Sequence, residues 1–374
     1  MKNKIVKNTL ICYSLIIFLF VVIRLLSSDF FGVLGELSTV ERYIANASIQ
    51  IILFLVSVFL FKFLQKSKTK DVLKSYGYHK ISWKAVLYSI LIGIIVYILN
   101  VFVVTFFNSV LASLGYRFST SSSSGSYPFW LFIVNIICTA VLPGICEETA
   151  HRGMLLKGLS RLGMQKAIVI SSLLFGLLHM NITQFFYATL IGFFLGYLAT
   201  LTDNIYPAII IHFMNNALSV FMSFSSANNL GLENMFSWLT YNLKNNTIIA
   251  ILFIFVLSAL LIIALRWLVK ALYKETALKK MYALQEAIFT EYMRTTFKQE
   301  VEEITSGQTD NVKRAQDMNR RMEEIIKSQS GEFEEPIEVF QRPYKMDTLS
   351  KILLISCFVL TGLVTLMTFV FGVL

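Results

Sequence analysis

Apolar runs long enough to cross a lipid bilayer recur along this sequence and restrict its fold more than any other feature. A bilayer core about 30 Å thick needs roughly 20 residues of helix, and only helices and closed barrels satisfy their backbone hydrogen bonds there. Such runs lie near residues 9–26, 48–65, 85–107, 128–150, 166–180, 184–201, 207–224, 247–272 and 350–374. The sequence therefore predicts an all-α polytopic membrane protein with about nine transmembrane helices.

The composition agrees with this fold class and excludes a nucleic-acid-binding protein. The chain is 56% hydrophobic and only 15% charged, far from an average soluble domain. Its net charge is +10, but the basic residues follow the ends of the apolar runs and no nucleic-acid-binding module is visible. The cysteines lie in or beside apolar runs without paired spacing, so no redox role is predicted for Cys12, Cys138, Cys146 and Cys357.

Lysine and arginine predict the orientation, because cytoplasmic loops carry an excess of both. Three lysines precede the first run and six lie within residues 66–84, so both segments are predicted to be cytoplasmic. The loop with Asp29 and Glu36 and the Ser-rich stretch 118–127 are predicted to lie outside. The first run has no small-residue cleavage site and is predicted to be retained. We expect a multi-pass protein of the plasma membrane with a cytoplasmic N-terminus.

Five regions follow from this topology. Residues 1–84 hold the N-terminal transmembrane helices and a basic loop, and residues 85–225 hold the core with most polar motifs. An outer loop and a transmembrane helix follow in 226–272, and a transmembrane helix ends the chain in 348–374. Between them, residues 273–347 alternate basic residues with glutamate and carry apolar residues at helical spacing. This pattern predicts a cytoplasmic helical extension.

Four ionisable residues, Glu147, Glu148, His151 and Arg152, stand at the end of the fourth run. Charges at membrane depth cost at least about 2.5–3.5 kcal/mol each, so they are retained mainly where they pair or perform chemistry. Helical spacing predicts that Glu148 lies over Arg152 and Glu147 over His151, with the two carboxylates pointing in different directions. An ordinary charged helix end at the membrane surface is the alternative interpretation.

Two further runs each carry a pair of side chains four residues apart. The fifth has Phe175 and His179, and the seventh has His212 and Asn216. Each pair alone could join helices by hydrogen bonds worth roughly 0.6–2 kcal/mol. Counting along the helices places His179 and His212 at different depths. A short fifth helix that stops within the bilayer beside a water-filled cavity would reconcile them, and wrong boundaries of the predicted spans are the alternative.

These motifs and their order resemble the CPBP family, which contains CAAX prenyl endopeptidases and bacteriocin-processing or self-immunity membrane proteins. Glu147-Glu-Thr-Ala-His-Arg152 resembles the family's EExxxR motif, Phe175-Gly-Leu-Leu-His179 its FxxxH motif, and His212-Phe-Met-Asn-Asn216 its HxxxN motif. The resemblance covers about residues 85–225 and implies an intramembrane protease core there. His151 departs from the pattern, because the family usually has an aromatic residue at this position.

The resemblance implies a catalytic set of Glu147, Glu148, Arg152, His179, His212 and Asn216. Glu147 would activate water with the help of His179, the Glu148–Arg152 pair would brace the motif, and the two residues on the seventh run would stabilise the oxyanion. Hydrolysis of a peptide bond does need a base for water and donors for the oxygen that gains negative charge. The residue types therefore fit the implied roles.

A metal site is a second interpretation of the same residues. Glu147, His179 and His212 could form a three-ligand site with an open position for water, as catalytic zinc requires, and His151 could be an additional ligand. The chain has no HExxH motif, and sequence does not fix the distances of a metal site. The metal is left unknown, with Zn²⁺ as the candidate cofactor, and no cofactor-binding residue is predicted.

The predicted function is an intramembrane endopeptidase that cleaves a membrane peptide or a lipidated, CAAX-like protein within the lipid bilayer. One alternative is a non-catalytic membrane immunity or binding protein that keeps the polar cluster for structure. Another is an ion-coupled transporter, because buried Glu, Arg and His also mark ion pathways. No inverted repeat is visible, which argues against the transporter.

Overall fold

The structure, a computed structural model, describes residues 2–27, 38–118, 127–231, 241–242, 245–306, 320 and 346–373. These residues form helices and connections without strands. The principal helices are α1 Lys2–Ser27, α2 Thr39–Gln65, α3 Thr69–Ser75, α4 Trp83–Ser113, α5 Phe129–Leu162, α6 Met164–Leu178, α7 Ile182–Thr202, α8 Tyr206–Ala227, α9 Thr247–Ser306 and α10 Thr348–Val373. Eight are long and apolar enough to cross a membrane, and α6 is a shorter apolar helix. The predicted fold class is confirmed.

Helices α2 and α5 extend beyond the runs that predict them. Helix α2 starts at Thr39 because Ser38 and Glu41 form a capping box: the Ser38 side chain accepts from the Glu41 N–H, and the Glu41 carboxylate accepts from the Ser38 N–H. Helix α5 continues to Leu162 instead of ending near residue 150. The charged motif therefore lies inside a continuous helix and not at its end.

Contacts divide the chain into two compact units, residues 1–273 with 344–374 and residues 274–343. The first unit holds the site described below, and its helices pack as α6 with α7, α8 with α4 and α5, α2 with α5, and α1 with α10. In the second unit the structure describes the remainder of α9 and residue 320. Most of the predicted outer loops, including Asp29, Glu36 and residues 119–126, falls outside the described residues.

Hydrogen bonds within the first unit sort the helix ends into two groups. One group contains the start of α1, the α2–α4 connection, the end of α5 and the α7–α8 turn. Asn8 of α1 donates to the Leu64 carbonyl at the end of α2, and Asn204 of the α7–α8 turn donates to the His79 carbonyl before α4. Lys157 of α5 donates to Asp203 of the α7–α8 turn. The other group joins Arg117 to Gly372 through their backbones, and Asn228 to the Tyr127 carbonyl. The segments predicted to be cytoplasmic in this unit thus share one end of the helix bundle.

Candidate active site

Helix α5 carries the charged motif on an altered helical geometry. It contains two π-helical segments, Ile136–Val141 and Thr149–Leu156, and such segments occur frequently at functional sites. Pro143 follows the first segment and has no N–H to donate to the Thr139 carbonyl. Asn216 of α8 donates to that carbonyl instead, over 3.0 Å. The proline therefore frees a backbone acceptor that connects α5 to α8.

Glu148 lies at the centre of a fully buried ion-pair cluster. Its Oε1 accepts from Arg152 Nη1 at 3.0 Å and from His212 Nδ1 at 2.8 Å. Arg152 Nη2 donates to the Gly192 carbonyl at 3.2 Å, and the guanidinium carbon lies 4.4 Å from the Phe175 ring centroid. The predicted pairing of Glu148 with Arg152 is confirmed, and a cation–π contact supports it.

Glycines allow the helices that carry this cluster to approach closely. A Cβ on Gly192 of α7 would lie 3.2 Å from the Ser172 backbone of α6, and one on Gly144 of α5 would lie 3.3 Å from the Ile209 carbonyl of α8. Small residues at such crossings permit close packing of membrane helices. The approach of α5 to α8 brings Glu148 within hydrogen-bonding distance of His212.

Glu147 is also buried, but its two carboxylate oxygens differ in their hydrogen bonding. Its Oε1 accepts from Gln50 Nε2 of α2 at 2.7 Å. Its Oε2 has no hydrogen-bond partner within the described residues and lies 3.9 Å from His212 Nε2, which is too far for a hydrogen bond. The carboxylates of Glu147 and Glu148, predicted to point in different directions, thus face the two nitrogens of one imidazole.

Phe175 joins the three histidines of the site. Its ring packs edge-on against His151, His179 and His212, with centroid distances of 5.0, 5.5 and 5.7 Å. His179 follows the last residue of α6, is half-buried, and makes no ring hydrogen bond in the part of the chain that the structure describes. It is close enough to Glu147 and His212 to interact electrostatically. His179 therefore joins the cluster with its nitrogens uncommitted.

The chain reverses direction directly after His179. Met180 has φ 46°, the left-handed region that long side chains rarely adopt, and its side chain is buried. Helix α7 then starts with Asn181, whose side chain accepts from the Thr183 N–H. Backbone strain of this kind is concentrated at functional sites. The short α6 thus stops beside the cluster.

His151, the departure from the family pattern, is fully buried and has both nitrogens engaged. Nδ1 lies 2.9 Å from the Glu147 carbonyl, and Nε2 lies 3.0 Å from the Tyr13 hydroxyl of α1. Because a carbonyl only accepts, Nδ1 carries the hydrogen and Nε2 accepts from Tyr13. His151 thus connects α1 to the backbone of Glu147.

Asn216 lies one turn beyond His212 on α8. Its Nδ2 donates to the Thr139 carbonyl, and its Oδ1 accepts from Asn215 Nδ2 at 3.1 Å. The side chain is half-buried, and one Nδ2 hydrogen is left over. The structure thus brings Glu147, Glu148, Arg152 and His212 together directly, adds His179 through Phe175, and places Asn216 beside α5.

Helix lengths place the cluster at one depth. At the α-helical rise of 1.5 Å per residue, His212 lies about 9 Å along α8 from Tyr206. Glu148 lies nine residues before Lys157 on α5. Lys157 pairs with Asp203, next to the start of α8, so both distances start from one end of the bundle. The cluster therefore lies well inside the bundle, on the half that is predicted to face the cytoplasm.

Tyr78, in the connection before α4, supports the motif from that end. Its hydroxyl lies 2.6 Å from Thr149 Oγ1, which itself donates to the Ile145 carbonyl at 2.6 Å. Burial raises the pKa of the Tyr78 phenol to about 12, so the side chain is neutral at physiological pH. Tyr78 therefore braces the start of the second π-helical segment without adding charge.

The contacts of Gln50 and Tyr13 are among the polar contacts of the site that were not predicted. Both residues lie in apolar runs outside the three motifs. A glutamine within an apolar run is itself a signal, because a buried amide needs hydrogen-bond partners. The sequence does not show which residue is the hydrogen-bond partner of this amide.

The three-ligand metal site is not assembled in this arrangement. Among the described residues, no group of three or more His, Cys, Asp or Glu side chains is placed to hold a metal ion. His151 also uses both ring nitrogens in contacts with the protein. Zn²⁺ stays an untested candidate cofactor. The catalytic steps are assigned to protein side chains alone.

Comparison with known proteins supports one family. Residues 128–218 match the family model described as Type II CAAX prenyl endopeptidase Rce1-like. The match contains all three motifs, and over this segment it confirms the resemblance to the CPBP family. It supports a CAAX-type intramembrane protease in general, within an integral membrane protein. No curated protein and no solved structure matches the chain.

Proposed function

We propose that this protein is an intramembrane endopeptidase that hydrolyses peptide bonds of membrane-associated or lipidated, CAAX-like substrates with water activated by Glu147. The observation that carries the proposal is the state of the Glu147 carboxylate. It is buried, and Gln50 donates to one of its oxygens. The other oxygen has no hydrogen-bond partner among the described residues and lies 3.9 Å from His212 Nε2. A positioned, partly unsatisfied carboxylate suits a general base.

His212 lies between the two carboxylates of the cluster. Its Nδ1 is 2.8 Å from Glu148 Oε1, and its Nε2 is 3.9 Å from Glu147 Oε2. A ring that carries hydrogen on both nitrogens keeps the contact with Glu148 through Nδ1–H and can donate through Nε2–H. In that form His212 has a donor for an anionic oxygen.

The hydrolysis follows from these positions. Glu147 takes one proton from water as the water oxygen bonds to the carbonyl carbon, and the carbonyl π electrons move to its oxygen. His212 Nε2–H and the remaining Asn216 Nδ2–H donate to that oxyanion. The C=O bond then re-forms, the C–N bond breaks, and the leaving nitrogen takes the proton held by Glu147. His179 is half-buried and makes no ring hydrogen bond with the described residues, so it can hold the water before attack.

The depth of the cluster restricts the substrate. A peptide that reaches Glu147 must enter a helix bundle in the bilayer, so a lipid anchor or an apolar segment helps to place it there. The fit to the CAAX-type family favours a lipidated C-terminal segment. With a cytoplasmic N-terminus, the site would lie in the cytoplasmic half of the plasma membrane.

The test compares Glu147→Gln with wild type in proteoliposomes, using a fluorescent CAAX peptide with and without a farnesyl group. The amide keeps the shape of the side chain but takes no proton, so cleavage should fall by roughly 10²–10⁴-fold. Substrate binding should be nearly unchanged. Glu41→Gln is the matched control, because a capping box accepts glutamine at this position and Glu41 is exposed at the start of α2.

A Glu147→Gln protein that cleaves at the wild-type rate would remove the protease mechanism. The binding and transport alternatives would then be favoured. The natural substrate can be sought among cellular membrane peptides that accumulate with Glu147→Ala and not with wild type.

A further inference from the structure

Helix α2 lies outside the matched segment 128–218, yet it contributes Gln50 to the site. We propose that Gln50 is a further active-site residue, which holds Glu147 through Nε2 and orients the attacking water through Oε1. This inference rests on the proposed peptidase function. It adds a water-binding group that neither the three motifs nor the family match assigns.

The orientation of the Gln50 amide follows from its partner. The side chain is buried, with 8% of its surface exposed, and one end lies 2.7 Å from Glu147 Oε1. A carboxylate oxygen in this contact accepts, so the amide end that faces it is the NH₂ group. The carbonyl oxygen Oε1 is therefore at the other end of the same amide. It is buried and has no hydrogen-bond partner among the described residues.

Two buried acceptors, Gln50 Oε1 and Glu147 Oε2, thus have no partner among the described residues. The two side chains that carry them are joined to each other by one hydrogen bond. Leaving a buried acceptor unpaired costs about 1–3 kcal/mol. A water molecule has two O–H groups and can donate one to each acceptor, whereas a peptide N–H can serve only one. The chemistry of this acceptor pair therefore favours water.

Such a contact would orient the nucleophile. With one O–H directed at Glu147 Oε2 and the other at Gln50 Oε1, the lone pairs of the water oxygen point away from both acceptors, toward the carbonyl carbon. During attack only Glu147 takes a proton, and Gln50 stays neutral and keeps its hydrogen bond. Gln50 would orient the attacking water without taking a proton. Its loss should therefore lower kcat more than it raises KM.

A purely structural role makes a different prediction. A buried glutamine that only joins α2 to α5 by a hydrogen bond would affect the amount and stability of folded protein. It would leave the turnover of each folded molecule unchanged. The kcat per folded enzyme therefore separates the two roles.

The test measures kcat, KM and folded fraction for Gln50→Met and Gln50→Asn. Methionine keeps the length of the side chain without either amide group, and kcat should fall by about 10²-fold, the scale of a small misplacement of a reacting group. KM should stay within about twofold, since substrate binding does not use this amide. Asparagine keeps both amide atoms on a shorter chain and should recover part of the lost kcat.

Ser57→Ala is the control, because Ser57 is buried on the same helix and its side chain donates only to the Leu53 carbonyl. It should turn over like wild type. If Gln50→Met also has wild-type kcat per folded molecule while Glu147→Gln is inactive, the Gln50 proposal is wrong and the peptidase proposal stands. If Glu147→Gln cleaves normally, the peptidase proposal itself fails.

Discussion

One oxygen of Glu148 accepts from His212 Nδ1 at 2.8 Å, across 64 residues of sequence, and from Arg152 Nη1 at 3.0 Å. Two helices and three ionisable groups thus meet at a single atom. Removing either donor would leave the buried Glu148 carboxylate with only the other of these two hydrogen bonds. Substitutions at the two donors therefore test both the stability and the chemistry of the site.

Arg152→Ala should destabilise the folded protein. Removing one member of a buried ion pair typically costs about 3–5 kcal/mol, because the other charge stays buried without its partner. Thermal unfolding in detergent measures the effect. Lys157→Ala is the matched control, since its pair with Asp203 is partly exposed and should be worth at most about 1 kcal/mol. Equal melting temperatures for the two variants would contradict the buried-pair interpretation.

His212→Ala and Asn216→Ala should each lower turnover by roughly 10²–10³-fold, the usual cost of one lost oxyanion donor. KM should change little, because the oxyanion forms only during the reaction. Steady-state kinetics of the reconstituted enzyme measures both constants. Ser223→Ala, on the exposed side of the same helix, should be unaffected, since its hydroxyl donates to the Ser219 carbonyl. A loss confined to KM would assign these residues to substrate binding.

Tyr13→Phe should destabilise the protein by about 1–3 kcal/mol, because it leaves the buried His151 Nε2 without its donor. Chemical or thermal unfolding in detergent gives the difference. Tyr43→Phe is the comparison, because its hydroxyl is only half-buried and its contact with Tyr127 is long, at 3.4 Å. Wild type should be the most stable, Tyr43→Phe intermediate and Tyr13→Phe the least stable. A Tyr13→Phe protein more stable than Tyr43→Phe would refute the role of the Tyr13–His151 contact.

Chelation should leave cleavage intact if Glu147 activates water with protein side chains alone. In that mechanism carboxylate and imidazole groups of the chain supply the base and the hydrogen-bond donors. The enzyme is assayed after dialysis against a chelator, with its metal content measured before and after. Silencing by the chelator together with recovery in zinc would instead assign water activation to a metal.

Cysteine labelling tests the orientation. In a variant without native cysteines, Lys80→Cys and Glu300→Cys should be accessible from the cytoplasm, and Arg117→Cys and Leu374→Cys from outside. The structure already joins Arg117 to Gly372 at one end of the bundle. Labelling of the positions 80 and 117 from the same side would overturn the predicted topology.

The sequence by itself determined the features that depend on local spacing and hydropathy. Apolar runs predicted the membrane-spanning helices, because a bilayer leaves the backbone no other hydrogen-bond partners. The spacing of Glu148 and Arg152 predicted their pairing, because residues four apart share a helix face. The three motifs include Glu147, Glu148, Arg152 and His212, which the structure brings together, and the catalytic roles implied for them stay predictions.

Tertiary structure alone decided the contacts between helices. Hydropathy gives the length of a helix but not its rotation or depth against its neighbours, and in membranes those depend on close packing at small residues. Gly144 and Gly192 set the approach that places Glu148 against His212 and gives Arg152 a carbonyl partner. For the same reason no spacing rule could connect Gln50 to Glu147 or Tyr13 to His151, since each pair joins side chains far apart in sequence through the packing of separate helices.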